Sequence, residues 1–256
     1  MALTDEKRES VPCKTMVLFF IVDTSGSMSG TRIGAVNSAI EQTLEKLRDM
    51  NENNADAEIE VAFLEFSNGA QWLTPTGPMK VGNYYWSDLE ADGLTYMGEA
   101  FKMLNEKLSK TSGFMKRASG SHAPVLFLMS DGEPNDDYKT HLAKLQQNAW
   151  FKVSIKVALA IGDDANDHVL QEFTGSKESV VRVPDGQNAG EKLAKMVQFI
   201  AITSSQVASN HGDASSISKQ EILEDAIQAA VSDDDGGWGA IDAVTDADAD
   251  GVGDDW

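Results

Sequence analysis

Asp23, Ser25 and Ser27 stand at alternate positions in the stretch MVLFFIVDTSGSM, residues 16 to 28. One short loop therefore delivers a carboxylate and two hydroxyls, all oxygen donors, from the end of an apolar run. Two more oxygen groups occur in related settings: Thr95 in DGLTYMGEA, just ahead of a helical pattern, and Asp131 in APVLFLMSDGEPNDD, directly after a second apolar run. Hard divalent cations prefer oxygen ligands, and magnesium keeps waters and accepts only one or two carboxylates. Asp23, Ser25, Ser27, Thr95 and Asp131 are thus expected to hold Mg2+ or Mn2+, the hydroxyls as neutral ligands and the two aspartates as charge, directly or through water.

Rival chemistries leave marks that can be looked for. Asp23 could cap the following helix, as Asp and Ser often do, but a cap does not account for Thr95 and Asp131 at two other element ends. A nucleophilic Ser25 or Ser27 requires a nearby base and an oxyanion hole, and His122, His141, His168 and His211 occur without a nucleophile-elbow pattern nearby. Aspartyl phosphoryl transfer would put a second acid where Ser25 stands. A phosphate-cradling loop would read G-x-x-x-x-G-K-[ST], whereas GSMSGTR has Arg32 after Thr31 and no lysine.

These oxygens need strand ends to present them. Met16 to Val22 reads as a buried strand, and Ile33, Val36, Ile40, Thr43, Leu44 and Leu47 recur at helical spacing behind it. AEIEVAFLEFS and AQWLTP, on either side of the turn SNG, predict a hairpin at a sheet edge. A helix over YMGEAFKMLNEKL, a strand ending at Asp131, a helix at about 137 to 150 and a strand over VSIKVALAIG come next. DHVLQEFTG predicts a short helix closed by Gly175, SVVRVP a further strand and NAGEKLAKMVQFIAI a last helix. This alternation predicts an α/β fold, a doubly wound, mostly parallel sheet with helices on both faces. In such sheets binding sites form outside the carboxyl ends of the strands, where Asp23 and Asp131 fall.

The formal net charge of -20 argues against direct nucleic-acid binding. Residues 1 to 200 hold 20 Lys+Arg against 28 Asp+Glu, while residues 201 to 256 hold 1 against 13, so the last fifth is a different kind of polymer. The sequence divides into an extension (1-15), one domain (16-205), a polar linker (206-218), a short amphipathic helix (219-232) and an acidic Asp/Gly/Trp tail (233-256), with protease sensitivity expected after Ser205. A polar N-terminus without a secretory pattern, a single cysteine (Cys13) and no apolar run of membrane-spanning length predict a cytoplasmic protein with no membrane contact.

The motif DTSGSM, the Thr95 loop and MSDGEP, in that order behind those strands, resemble the metal-ion-dependent adhesion site (MIDAS) of von Willebrand factor A domains, along residues 16 to 202. After Ser27 the chain reads MSGTR, without the adjacent acidic pair that some integrin A domains use for a second metal, so one ion is expected. FLMSDGEPNDDY and ITSSQ are further similar to the tellurite-resistance-associated A-domain proteins of bacteria. That resemblance implies a non-enzymatic adaptor in a stress-response or anti-phage complex, beside a protein kinase and a phosphatase. The ion would bind an acidic residue of the partner; the alternative is a metal-dependent hydrolase or phosphatase using the same ion.

The tail raises two separate expectations. Trp238, Ile241, Val244 and Trp256 are expected to dock into apolar pockets of a partner, because tryptophan is enriched in binding hot spots. Rival uses are self-inhibition through a tail aspartate and simple solvation. Asp246, Asp248, Asp250 and Gly251 match the opening of a calcium loop, but the chain given stops before the twelfth-position glutamate, leaving at most weak calcium binding.

Overall fold

The structure is a computed structural model that describes residues 14–53, 57–115, 122–186, 188–209 and 219–231. Cys13, His211 and all the tail positions, Trp238, Ile241, Val244, Asp246, Asp248, Asp250 and Trp256, lie outside the described residues.

Ten residues rich in Val, Ile, Phe and Leu make β1 (Lys14–Asp23), followed by α1 (Thr31–Asn53) and β2 (Ala57–Phe66). β3 (Ala70–Trp72) and the two-residue β4 (Met79–Lys80) both pair antiparallel with the outer edge of β2. The hairpin is as expected; β4 is too short to leave a periodic signal. α2 (Met97–Lys107), β5 (Val125–Ser130), α3 (Tyr138–Leu145), α4 (Ala149–Val153) and β6 (Ile155–Ile161) come next. α5 (Asp167–Thr174), β7 (Val180–Val183), α6 (Ala189–Ser209) and α7 (Lys219–Val231) complete the fold. The helix expected at about 137 to 150 is two helices, because Asn148 has extended backbone and its side chain accepts from the Trp150 and Phe151 N–H groups to start α4 afresh.

The sheet order is β3-β2-β1-β5-β6-β7, with β1, β2, β5, β6 and β7 mutually parallel. β1 thus lies where the winding reverses, and the connections from β1 and β5 leave in opposite directions. Side chains alternate across the strand. Met16, Leu18, Phe20 and Val22 join the core that contains α1, α6 and α7 residues, while Val17, Phe19 and Ile21 join the core that contains α2, α3 and α5 residues. Phe20 stacks between Phe63 and Phe127, at 4.8 and 5.0 Å between ring centroids. Two covered faces explain why β1 and β5 read as unbroken apolar runs rather than alternating ones.

α6 continues to Ser209, four residues beyond the expected end of the domain, and α7 packs back on the body. Leu223, Ile227 and Ala230 are buried in the α1/α6 core. β7 begins too late to pair with Lys156, and the Gln220 side chain takes that place: it accepts from Lys156 N–H (2.9 Å) and donates to Lys156 C=O (3.1 Å). An amide side chain has the donor and acceptor that an absent strand residue would supply.

Candidate metal centre

Asp23 ends β1 with a fully buried side chain, and its carboxylate organises the turn that follows. Oδ1 accepts from the Ser25 N–H (2.8 Å) and Oδ2 from the Ser130 hydroxyl (2.6 Å). Ser130 also accepts from Gly132 N–H (2.8 Å), so one hydroxyl joins the β1 and β5 exits. Thr24, the residue between the two donors, is spent on structure, with its N–H and hydroxyl both donating to Phe66 C=O on β2 (2.8 and 3.1 Å). The Ser25 and Ser27 hydroxyls lie 3.0 Å apart. Ser25 is buried and Ser27 exposed, so the pair opens from the sheet end toward solvent.

The Thr95 segment is stitched to this turn through backbone. Gly26 N–H donates to Gly93 C=O (3.0 Å) and Asp92 N–H to Thr24 C=O (2.9 Å). A Cβ on Gly26 would sit 3.2 Å from that Gly93 oxygen, so glycine is what lets the two loops touch. Thr95 is buried and held at two points by Asn135, whose side chain accepts from Thr95 N–H (2.9 Å) and whose N–H donates to Thr95 C=O (2.8 Å). The Asp136 carboxylate accepts from Gly98 and Glu99 N–H at the start of α2 (2.9 and 3.1 Å), fixing that helix to the β5 exit.

Asp131 is 3% exposed, and its Oδ1 has no hydrogen-bond partner. Its Oδ2 faces Arg32 Nη1 at 3.8 Å, and its C=O accepts from Asn166 N–H (2.7 Å). Burial pushes the Asp23 carboxyl up to about 6, against the Ser130 and Ser25 hydrogen bonds that favour its ionised form; the Asp131 charge pushes the same way as burial. Two buried carboxylates with an unmet oxygen, beside a pair of hydroxyls, suit a divalent ion: it would satisfy the orphaned oxygen and reverse the upward pressure on Asp23. No group of three or more His, Cys, Asp or Glu side chains able to hold a metal occurs among the described residues. Besides the two aspartates, the oxygens that these loops offer are hydroxyls, which hard divalent cations accept.

The five residues read from the sequence occupy three loops at the carboxyl end of the sheet that hydrogen bonds tie together. Sequence reasoning missed Ser130, Asn135 and Arg32. Ser130 carried a usable signal, a hydroxyl inside an otherwise apolar strand beside Asp131; Asn135 and Arg32 acquire their roles only from long-range contacts. His122 is buried, with its N–H donating to Thr15 C=O (2.9 Å), away from this site at the start of β1.

A family model described as the von Willebrand factor type A domain matches residues 18–197. No curated protein matches the chain. Among solved structures, the von Willebrand factor type A protein of Catenulispora acidiphila is 18% identical at a TM-score of 0.50, over 72% of this chain and 42% of that one. The pilus adhesin SpaC of Lactobacillus rhamnosus GG, in its open conformation, is 17% identical at a TM-score of 0.55, over 76% and 30%. Proximal thread matrix protein 1 of the mussel byssus, in a form whose MIDAS motif is occupied by zinc, is 17% identical at a TM-score of 0.54, over 74% and 48%. The chain thus spans less than half of each of these proteins, and at such identities the likeness is one of fold. Order of motifs, sheet topology and the family match over residues 18–197 together show that this chain belongs to the von Willebrand factor type A domain family.

Proposed function

We propose that the chain is a cation-dependent protein-interaction module in which Asp23, Ser25, Ser27, Thr95 and Asp131 hold one Mg2+ or Mn2+ ion. The observation that carries this reading is Asp131 Oδ1, buried and without a hydrogen-bond partner beside a second buried carboxylate. Such an oxygen costs free energy until a hydrogen-bond donor or a cation meets it, and beside a second carboxylate a cation is the stronger partner. An ion held largely by hydroxyls keeps much of its charge and attracts a further carboxylate, which a protein partner would supply. Von Willebrand factor type A domains often use a MIDAS metal for protein interaction, and the zinc in the byssus protein supports a divalent ion at this position.

The finer reading, an adaptor of the tellurite-resistance-associated type working in the cytoplasm with a protein kinase and a phosphatase, rests on the resemblance of FLMSDGEPNDDY and ITSSQ. Among the described residues no helix is long and apolar enough to cross a membrane. The test is capture of partners from native bacterial lysate by the full chain, with and without chelator, beside phosphatase and esterase assays on the pure protein. Capture that chelator and Asp23→Ala both abolish, without turnover, supports the adaptor. Metal-dependent turnover lost in the same variant would instead establish the hydrolase, and capture indifferent to chelator and variant would refute both.

A further inference from the structure

Arg32 is an unusual residue for its position. It lies in the first turn of a 23-residue helix, where the exposed N–H groups and the helix dipole disfavour a cation. Its guanidinium is nevertheless firmly placed. Nε donates to Asp185 Oδ1 (3.0 Å) and Nη2 to Asp185 Oδ2 (2.7 Å), the two-pronged geometry that guanidinium and carboxylate favour. Nη2 also pairs with Asp164. The group lies against Gly162, where a Cβ would come within 2.5 Å of Arg32 Cζ and φ is +96°, a conformation that favours glycine.

The remaining nitrogen, Nη1, points at Asp131 Oδ2 but stops at 3.8 Å, beyond hydrogen-bond distance. Two acids from the β6 and β7 exits thus hold a permanent cation close to the aspartate whose other oxygen is orphaned. Released from that hold, the guanidinium needs to move by only about an ångström to bond Asp131, given ordinary N–H···O distances. An arginine so engaged would put a positive charge where the divalent ion must bind and would occupy one of its anionic ligands.

We propose that Asp164 and Asp185 tether Arg32 as a restrained competitor for Asp131, so that these two acids, which touch no proposed ligand, set the site's cation affinity. This inference rests on the metal reading above. Asp164 is largely exposed and Asp185 partly so, which leaves the tether open to a partner that binds the two acids through its own basic groups. Engagement of such a partner would release Arg32 toward Asp131 and expel the ion.

The test is a mutant cycle on the full chain, with Mn2+ affinity measured by isothermal titration calorimetry in wild type, Arg32→Gln, Asp164→Asn/Asp185→Asn and the triple variant. Removing the two acids is expected to weaken Mn2+ binding by about tenfold, a result that simple loss of negative charge would also give. The diagnostic quantity is therefore the coupling. Arg32→Gln should raise affinity at least about tenfold more in the background lacking both acids than in the wild-type background, because only there does Arg32 reach Asp131. Equal factors in the two backgrounds would overturn the tether while leaving the metal site standing, and no Mn2+ binding by the wild type would overturn both. Thermal melting in chelator checks the fold of each variant, and Arg32→Met, which keeps the apolar stem over Gly162, replaces Arg32→Gln if that variant does not fold.

Discussion

The two ends of the sheet handle buried polar groups in opposite ways. At the amino end, Gln220 meets both backbone groups of Lys156, and Asn148 Nδ2 reaches Asn105 and Leu108 C=O while its Oδ1 starts α4. At the carboxyl end, Asp131 Oδ1 is unmet, and Asp23 is held in a setting that favours its proton. Both ends are assembled from loops, so local irregularity is not what distinguishes them. At the amino end these amide groups are matched and the atom left unmet, Trp150 Nε1, is neutral, whereas at the carboxyl end the unmet atom belongs to a carboxylate. Satisfied polar groups fasten the fold; the unmet carboxylate oxygen is where the proposal above seats a cation.

Breaking the carboxyl end should have the largest effect. Asp23→Ala and Asp131→Ala are each expected to lower Mn2+ affinity by more than about a hundredfold, since each removes half of the anionic charge on the ion. The melting temperature in chelator should hold or rise for Asp131→Ala, whose Oδ1 is orphaned, and fall for Asp23→Ala, which leaves the Ser25 N–H and the Ser130 hydroxyl without their acceptor. Calorimetry and thermal melting read the two effects separately, and an unchanged Mn2+ affinity in both variants would remove the basis of the comparison.

The amino end should respond in the reverse manner. Leu223→Ala, in the buried face of α7, is expected to cost about 3 kcal/mol of stability and to leave Mn2+ affinity within about twofold. Denaturant unfolding checks the first figure. A null effect on stability would mean that α7 is not part of the folded body.

pH sharpens the contrast further. In the cation-free protein the Asp23 carboxyl lies at about 6, above its ordinary value of 3.8, so between these values the folded chain holds a proton that the unfolded chain has released. That contribution is fully present below about 3.8 and is lost as pH rises through 6. A bound cation displaces the proton, so the gain in melting temperature from Mn2+ should be larger at pH 7 than at pH 5. Equal gains at the two values would contradict a buried, proton-holding Asp23. The smallest expected effect is Gln220→Ala, about 1 kcal/mol, from two backbone groups left to find water at the edge of β6; hydrogen exchange at the Lys156 amide reads it directly.

Much of the fold was legible because its signals are local. Runs of apolar residues marked β1, β5 and β6, helical spacing marked α1, and Gly175, in the left-handed conformation at the end of α5, marked where that helix stops. Where an isolated side chain redirects the backbone, local pattern gave way: Asn148 splits one expected helix, and β4 is specified by the edge of β2 rather than by its own two residues.

What the sequence by itself determined is the donor inventory and its place: four oxygen-bearing residues at or just beyond the ends of apolar strands and Thr95 ahead of a helix, the set on which the proposal of a cation rests. Only the tertiary structure decided which of their atoms are left unmet. The hydrogen bond from Ser130 to Asp23, the clamp of Asn135 on Thr95 and the fork of Arg32 on Asp185 join residues 107, 40 and 153 positions apart. Contacts across such separations exist only once the sheet has brought the strand ends together, so the electrostatics of the site are a property of the packed chain.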